Sequence, residues 1–98
     1  MTLSTHVLDT ARGRPAAGVP VRLEWPDGQV SGHTDADGRL RFEDAVQGPC
    51  RLVFDTAAYL GPGAFFPEVA IVFQATGRDH LHVPLLLSPF GYSTYRGS

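Results

Sequence analysis

The sequence predicts an all-β sandwich. Apolar residues alternate with polar ones in several short segments, eleven glycines and eight prolines punctuate those segments, and only one stretch reads as a helical turn. The chain of 98 residues closes one modest core, so residues 1–98 are expected to form a single domain.

Residues 3–8 open the fold, with Leu3, Thr5 and Val7 on one face and Ser4, His6 and Leu8 on the other. The clearest alternation follows, with Val19, Val21, Leu23 and Trp25 opposed to Arg22 and Glu24. Pro26-Asp27-Gly28 then turns the chain into a strand over residues 30–34. Asp35-Ala36-Asp37-Gly38 forms a turn of residues that tolerate left-handed backbone, and residues 39–42 continue beyond it, so a three-stranded meander is expected. Residues 50–55 read as the next strand. Thr56-Ala57-Ala58-Tyr59-Leu60 is the helical turn, with Thr56 as N-cap and Gly61 closing it. After a loop at Gly61-Pro62-Gly63-Ala64, the residues Val69, Ile71, Phe73 and Ala75 line one face of a strand ending at Thr76-Gly77-Arg78-Asp79. Residues 81–87 form a strand broken by Ser88-Pro89, and residues 91–95 supply a last one.

Composition excludes several classes of function. Hydrophobic residues at 43% and charged residues at 18% belong to an ordered domain. The net charge of −2, with its cations scattered singly, offers no stripe for phosphates, which argues against a nucleic-acid partner. Cys50 is the single cysteine, so no intrachain disulfide is available and a reducing cytoplasm is expected. No basic leader with an apolar run opens the sequence, and no stretch approaches the roughly 20 apolar residues of a membrane span. Neither export nor a membrane partner is expected.

Two strands carry a second face that the core does not need. Leu81, Val83, Leu85 and Leu87 share one side of their strand, which leaves His82, Pro84 and Leu86 on the other. The first strand likewise presents Ser4, His6 and Leu8. A partly apolar outer face on a small sandwich marks a contact surface, here read as one for self-association. A single strand histidine is ordinarily a surface or packing residue, so neither His6 nor His82 identifies a site alone. His33 and His80 read only as polar residues flanking turns, and residues 95–98 as an ordinary frayed terminus.

Five segments in order resemble the transthyretin-like (prealbumin-like) family: Ser4-Thr5-His6-Val7-Leu8-Asp9, Gly13-Arg14-Pro15-Ala16, Thr34-Asp35-Ala36-Asp37-Gly38-Arg39, Phe65-Phe66-Pro67-Glu68, and the long run from His82 through Ser88-Pro89-Phe90-Gly91-Tyr92 to Tyr95-Arg96-Gly97-Ser98. Within it the chain is similar to the 5-hydroxyisourate hydrolases. Hormone carriers place Lys at the His6 position and Thr at the His82 position, and end in a longer, unrelated tail. The resemblance implies two four-stranded sheets with one short helix, and a homotetramer, a dimer of dimers, whose sites lie where the dimers meet.

It also implies an enzyme of urate and purine breakdown that hydrolyses a cyclic amide of 5-hydroxyisourate to 2-oxo-4-hydroxy-4-carboxy-5-ureidoimidazoline. His6, Arg39, His82 and Ser98 would be catalytic. Tyr95, Arg96 and Gly97 would bind substrate together with His6, Arg39 and Ser98. Either histidine has a pKa suited to activating water, and the Arg39 fork suits ring oxygens and charge developing on the attacked carbonyl. The histidines lack the helix spacing or paired cysteines of a zinc site, so neither metal nor cofactor is expected. The rival readings are a transthyretin-type carrier of a small aromatic ligand without catalysis and a structural module of the same fold.

Overall fold

A computed structural model describes residues 2–44, 46–77 and 79–97. Ten strand segments and one helix follow in the order β1 (Leu3–Asp9), β2 (Arg14–Pro15), β3 (Pro20–Trp25), β4 (Gly28–His33), β5 (Arg39–Phe42), β6 (Gly48–Phe54), α1 (Thr56–Leu60), β7 (Val69–Ala75), β8 (Leu81–His82), β9 (Leu85–Ser88) and β10 (Gly91–Thr94).

One sheet runs β4-β3-β6-β7, antiparallel throughout. The other is built around β1. On one edge of β1 lie β8 and β9 in parallel, with β10 beyond β9; on the opposite edge β5 pairs residues 3–6 and β2 pairs residues 8–9. The six segments of this sheet therefore occupy four lanes, and the two sheets match the expected pair of four-stranded layers. The core lies between them. Leu3, Leu23, Leu52, Phe54, Leu85 and Leu87 are fully buried, each such side chain contributing roughly 1.5–3 kcal/mol relative to exposure. Burial along β1 alternates strictly, with Leu3, Thr5, Val7 and Asp9 inside.

Three local expectations are corrected. The segment from β3 to β5 is not a meander: β4 stays with β3, whereas β5 crosses to the other sheet and pairs with β1. Buried Thr34 makes the crossing possible. Its hydroxyl donates to the Ala16 carbonyl at 2.7 Å and accepts the Val19 N–H at 2.9 Å, satisfying backbone that no strand pairs there. The N-cap of α1 is Asp55, whose carboxylate accepts the Ala58 N–H at 3.1 Å; Thr56 is buried and its hydroxyl donates to the Phe66 carbonyl. Finally, the strand over residues 81–87 divides at Val83-Pro84, where proline offers no N–H to the ladder. Hydroxyls fill the gap, Thr5 donating to the Val83 carbonyl at 2.7 Å and Thr94 to the Pro84 carbonyl at 2.8 Å.

Cys50 is buried as a free thiol, and burial pushes its pKa up. Among the described residues no helix is long and apolar enough to cross a membrane.

Candidate active site

The outer face of the β1-centred sheet gathers polar side chains by register alone. His6 is the Cα partner of Arg39, while Ser4 is flanked by Arg41 on one side and His82 on the other. Ser4, Thr5, Asp35, Arg39, Leu40, Arg41 and His82 line an open depression of about 270 Å³. His6 is not among these lining residues, but its register partner Arg39 is.

The turn before β5 fixes Arg39. One carboxylate oxygen of Asp35 accepts the backbone N–H groups of both Asp37 and Arg39 at 2.9 Å, and the Asp35 N–H closes back on the Arg39 carbonyl at 2.8 Å. The Arg39 N–H, the Asp37 N–H and the nearby charges of Arg39 and His6 hold the Asp35 carboxyl below its ordinary pKa despite some desolvation. Gly38 must be glycine for two reasons: its φ is +75°, and a Cβ would sit 2.5 Å from the Val7 carbonyl oxygen. With Gly38 this tight, the Asp37 carbonyl accepts the Nε2–H of His6 at 2.9 Å, which defines the His6 tautomer.

His82 is held differently. Its Nδ1 lies 2.7 Å from Ser4 Oγ, leaving Nε2 for other partners. Its pKa is lowered, first by burial and then by the positive charges of Arg39, His6 and His80, with hydrogen bonding to the Ser4 backbone opposing. A neutral ring at neutral pH is what a general base requires.

The terminal segment approaches the same histidine. The Gly97 N–H donates to the His82 carbonyl at 2.8 Å, and a Cβ on Gly97 would fall 2.5 Å from His82 Cδ2. Only glycine allows the tail to lie against the ring. Tyr95 and Arg96 point elsewhere within the single chain, lining with Ile71, Phe73, Gln74 and Leu81 a groove of about 240 Å³ at the open edge of the sandwich. Ser98 lies outside the described residues. His6, Arg39, His82 and Gly97 thus converge, while Tyr95 and Arg96 occupy a neighbouring groove.

Ser4, Asp35 and His80 belong to this neighbourhood although sequence reasoning gave them no chemical role. The signal available was spacing: His80 lies two residues before His82, at the entry to the same strand, and Ser4 shares the outer face with His6. Among the described residues no group of three or more His, Cys, Asp or Glu is disposed to hold a metal.

Residues 3–97 match the model of the HIUase/Transthyretin family. The chain is 47% identical over 120 residues to the uric acid degradation bifunctional protein TTL of Arabidopsis thaliana, covering 98% of this chain but 37% of that protein's length. It is 44% identical over 110 residues to the 5-hydroxyisourate hydrolase of Salmonella dublin, covering 98% of this chain and 80% of that one. The solved structure of the Klebsiella pneumoniae 5-hydroxyisourate hydrolase superposes with a TM-score of 0.88 at 40% identity, covering 99% of this chain and 98% of that one. The chain belongs to the HIUase/Transthyretin family.

Proposed function

We propose that this protein hydrolyses 5-hydroxyisourate in urate degradation, and that the outer face of the β1-centred sheet performs the reaction. One observation carries the reading: register places Arg39 beside His6 and His82 beside Ser4, with Gly97 against His82, in a chain 44% identical to a curated 5-hydroxyisourate hydrolase over 98% of its length.

The chemistry follows from these positions. His82, kept neutral by burial and by neighbouring cations, takes a proton from water on Nε2. The oxygen adds to the ring carbonyl, and the charge that develops there meets the Arg39 guanidinium. As the ring C–N bond breaks, the proton held on His82 passes to the departing nitrogen, so no proton is left over. His6, its Nε2–H held by the Asp37 carbonyl, stands beside Arg39 by register and orients substrate. In this reading Ser98, next after Gly97 in sequence, acts through its hydroxyl on the water or a histidine, and Tyr95 and Arg96 position the tail and touch substrate. No metal or cofactor takes part.

The same proposal includes one domain acting as a cytoplasmic homotetramer, a dimer of dimers with sites where the dimers meet. Supporting assembly, the lateral strands β7 and β10 expose Val72 at 73% and Tyr92 at 43%, an apolar cost that a second copy relieves.

The test is the absorbance decay of 5-hydroxyisourate freshly generated from urate. The protein is expected to accelerate the decay in proportion to its concentration. A rate equal to the spontaneous one leaves a ligand carrier and rejects the hydrolase.

A further inference from the structure

His80, exposed just before β8, joins a continuous hydrogen-bonded chain. Thr2 Oγ1 lies 2.6 Å from His80 Nδ1, His80 Nε2 lies 2.7 Å from Ser4 Oγ, and Ser4 Oγ lies 2.7 Å from His82 Nδ1. We propose that Thr2, His80 and Ser4 form a relay that sets which ring nitrogen of His82 carries the proton, making His80 a positioning residue for the hydrolysis. The inference rests on the reading of His82 as the base.

A hydroxyl has one hydrogen and two lone pairs and a neutral imidazole one N–H, so the contacts admit two unidirectional polarities of opposite sense, and a third arrangement in which Ser4 accepts from both His80 Nε2–H and His82 Nδ1–H. In the first, Thr2 donates to His80 Nδ1, His80 Nε2–H donates to Ser4, Ser4 donates to His82 Nδ1, and His82 carries its proton on Nε2. In the second, every bond reverses: His82 Nδ1–H donates to Ser4, Ser4 to His80 Nε2, and His80 Nδ1–H to Thr2, which frees the His82 Nε2 lone pair. The second polarity is the one a base needs, and after Nε2 takes the water proton the Nδ1–H bond to Ser4 persists unchanged. Ser4 alone, with a rotating hydroxyl, can donate to His82 Nδ1 or accept from it; a lone pair on His80 Nε2 claims the one Ser4 hydrogen, and Ser4 can then only accept from His82 Nδ1–H.

The relay is held by backbone as well as by side chains. The Leu81 N–H donates to the Thr2 carbonyl at 2.9 Å and the Val83 N–H to the Ser4 carbonyl at 2.9 Å, so the hydroxyl-bearing residues and the histidines are tied to each other on adjoining strands. The groups facing His82 are Ser4 and His6 from β1, Arg39 and Arg41 from β5, Asp35 from the turn before it, His80 from the residues leading into β8 and Gly97 from the tail. Of these only Ser4 touches a ring nitrogen of His82, and only His80 meets Ser4 from its other side.

The experiment combines steady-state kinetics with nitrogen NMR of the imidazole rings on the assembled protein. His80→Ala is expected to lower kcat by roughly 10- to 100-fold, the scale seen when a group supporting a functional histidine is removed, with KM changed less than about twofold because His80 meets no substrate. The acid limb of kcat/KM moves to higher pH, since one of the charges that lower the His82 pKa is gone. His80→Gln, which still offers a hydrogen-bonding group to Ser4, recovers most of kcat, whereas His80→Phe does not. NMR of the unsubstituted protein finds the neutral His82 proton on Nδ1, and His80→Ala mixes the two tautomers. A His82 proton on Nε2 in the unsubstituted protein, or a tautomer population and pH profile indifferent to His80→Ala, overturns the relay. The NMR outcome requires no substrate, so it separates failure of the relay from failure of the hydrolase reading.

Discussion

The two sheets turn similar residues to water, yet among the described residues Arg39 of the β1-centred sheet lacks the carboxylate ion pair that Arg22, Arg51 and, on its own strand, Arg41 make. On the outer face of the β4-β3-β6-β7 sheet, Arg22 and Arg51 converge on Glu24, at 2.6 and 3.8 Å, so one carboxylate is shared by two cations. On the outer face of the β1-centred sheet the carboxylate beside Arg39 is Asp35, whose hydrogen-bonding oxygen is occupied by two backbone N–H groups. Among the described residues Arg39 makes no ion pair. A charge spent on a neighbour serves stability weakly; a charge whose nearby acid has been assigned to the backbone remains available to a ligand.

Arg39→Ala should break this contrast most severely. Removing a group that meets developing charge is expected to cost about 100- to 1000-fold in kcat/KM, with the thermal midpoint near that of the unsubstituted protein, as kinetics and melting on the same sample will show. Gly38→Ala attacks the turn that aims Arg39. A positive φ and a 2.5 Å approach to the Val7 carbonyl predict a stability loss of about 1–3 kcal/mol in denaturant unfolding, accompanied by reduced turnover because the Asp37 carbonyl that holds His6 shifts too.

Tyr59→Phe provides a remote control. The Tyr59 hydroxyl donates to buried Asp9 at 2.7 Å, joining α1 to β1. Burial raises the Asp9 pKa, but the bonds from Tyr59, the Arg12 and Ala11 N–H groups and the Arg12 charge outweigh it, so the net shift is downward. A carboxyl with a depressed folded pKa adds stability above its unfolded pKa and loses that contribution as pH falls through the folded value. The substitution is therefore expected to cost roughly 1–3 kcal/mol near neutrality, a deficit that shrinks on acidification below the ordinary carboxylate range, with turnover per folded molecule retained. Glu24→Ala should have the smallest effect. Its partners are part-exposed and screened, so a loss of about 0.2–1 kcal/mol and full activity are expected.

Much of this arrangement was readable from the sequence, and the failures have physical causes. Period-two alternation located the strands because one face of each must enter the core, as in β1 and β3. It also put His6 and His82 on the outer face before any partner was known. Alternation says nothing about which sheet a strand joins, and so the crossing of β5 was missed: it depends on Thr34 satisfying backbone groups of Ala16 and Val19, a long-range contact. The cap of α1 was misplaced by one residue because Asp55 and Thr56 are both capping types, and the competing carbonyl of Phe66 drew the threonine inward. Within one chain Gly97 pairs with His82 while Tyr95 and Arg96 line a neighbouring groove, a division that adjacency in sequence does not reveal. His80 looked like a turn residue, since its connection to His82 passes through Ser4, 76 residues earlier in the chain.

The decay of freshly prepared 5-hydroxyisourate, followed with the unsubstituted protein, Arg39→Ala, His82→Ala and Glu24→Ala at equal concentration, tests the account most directly. Catalysis on the β1-centred face predicts acceleration by the unsubstituted protein and by Glu24→Ala, and near-spontaneous rates for Arg39→Ala and His82→Ala. Spontaneous decay in all four samples, or equal losses from Glu24→Ala and Arg39→Ala, contradicts it.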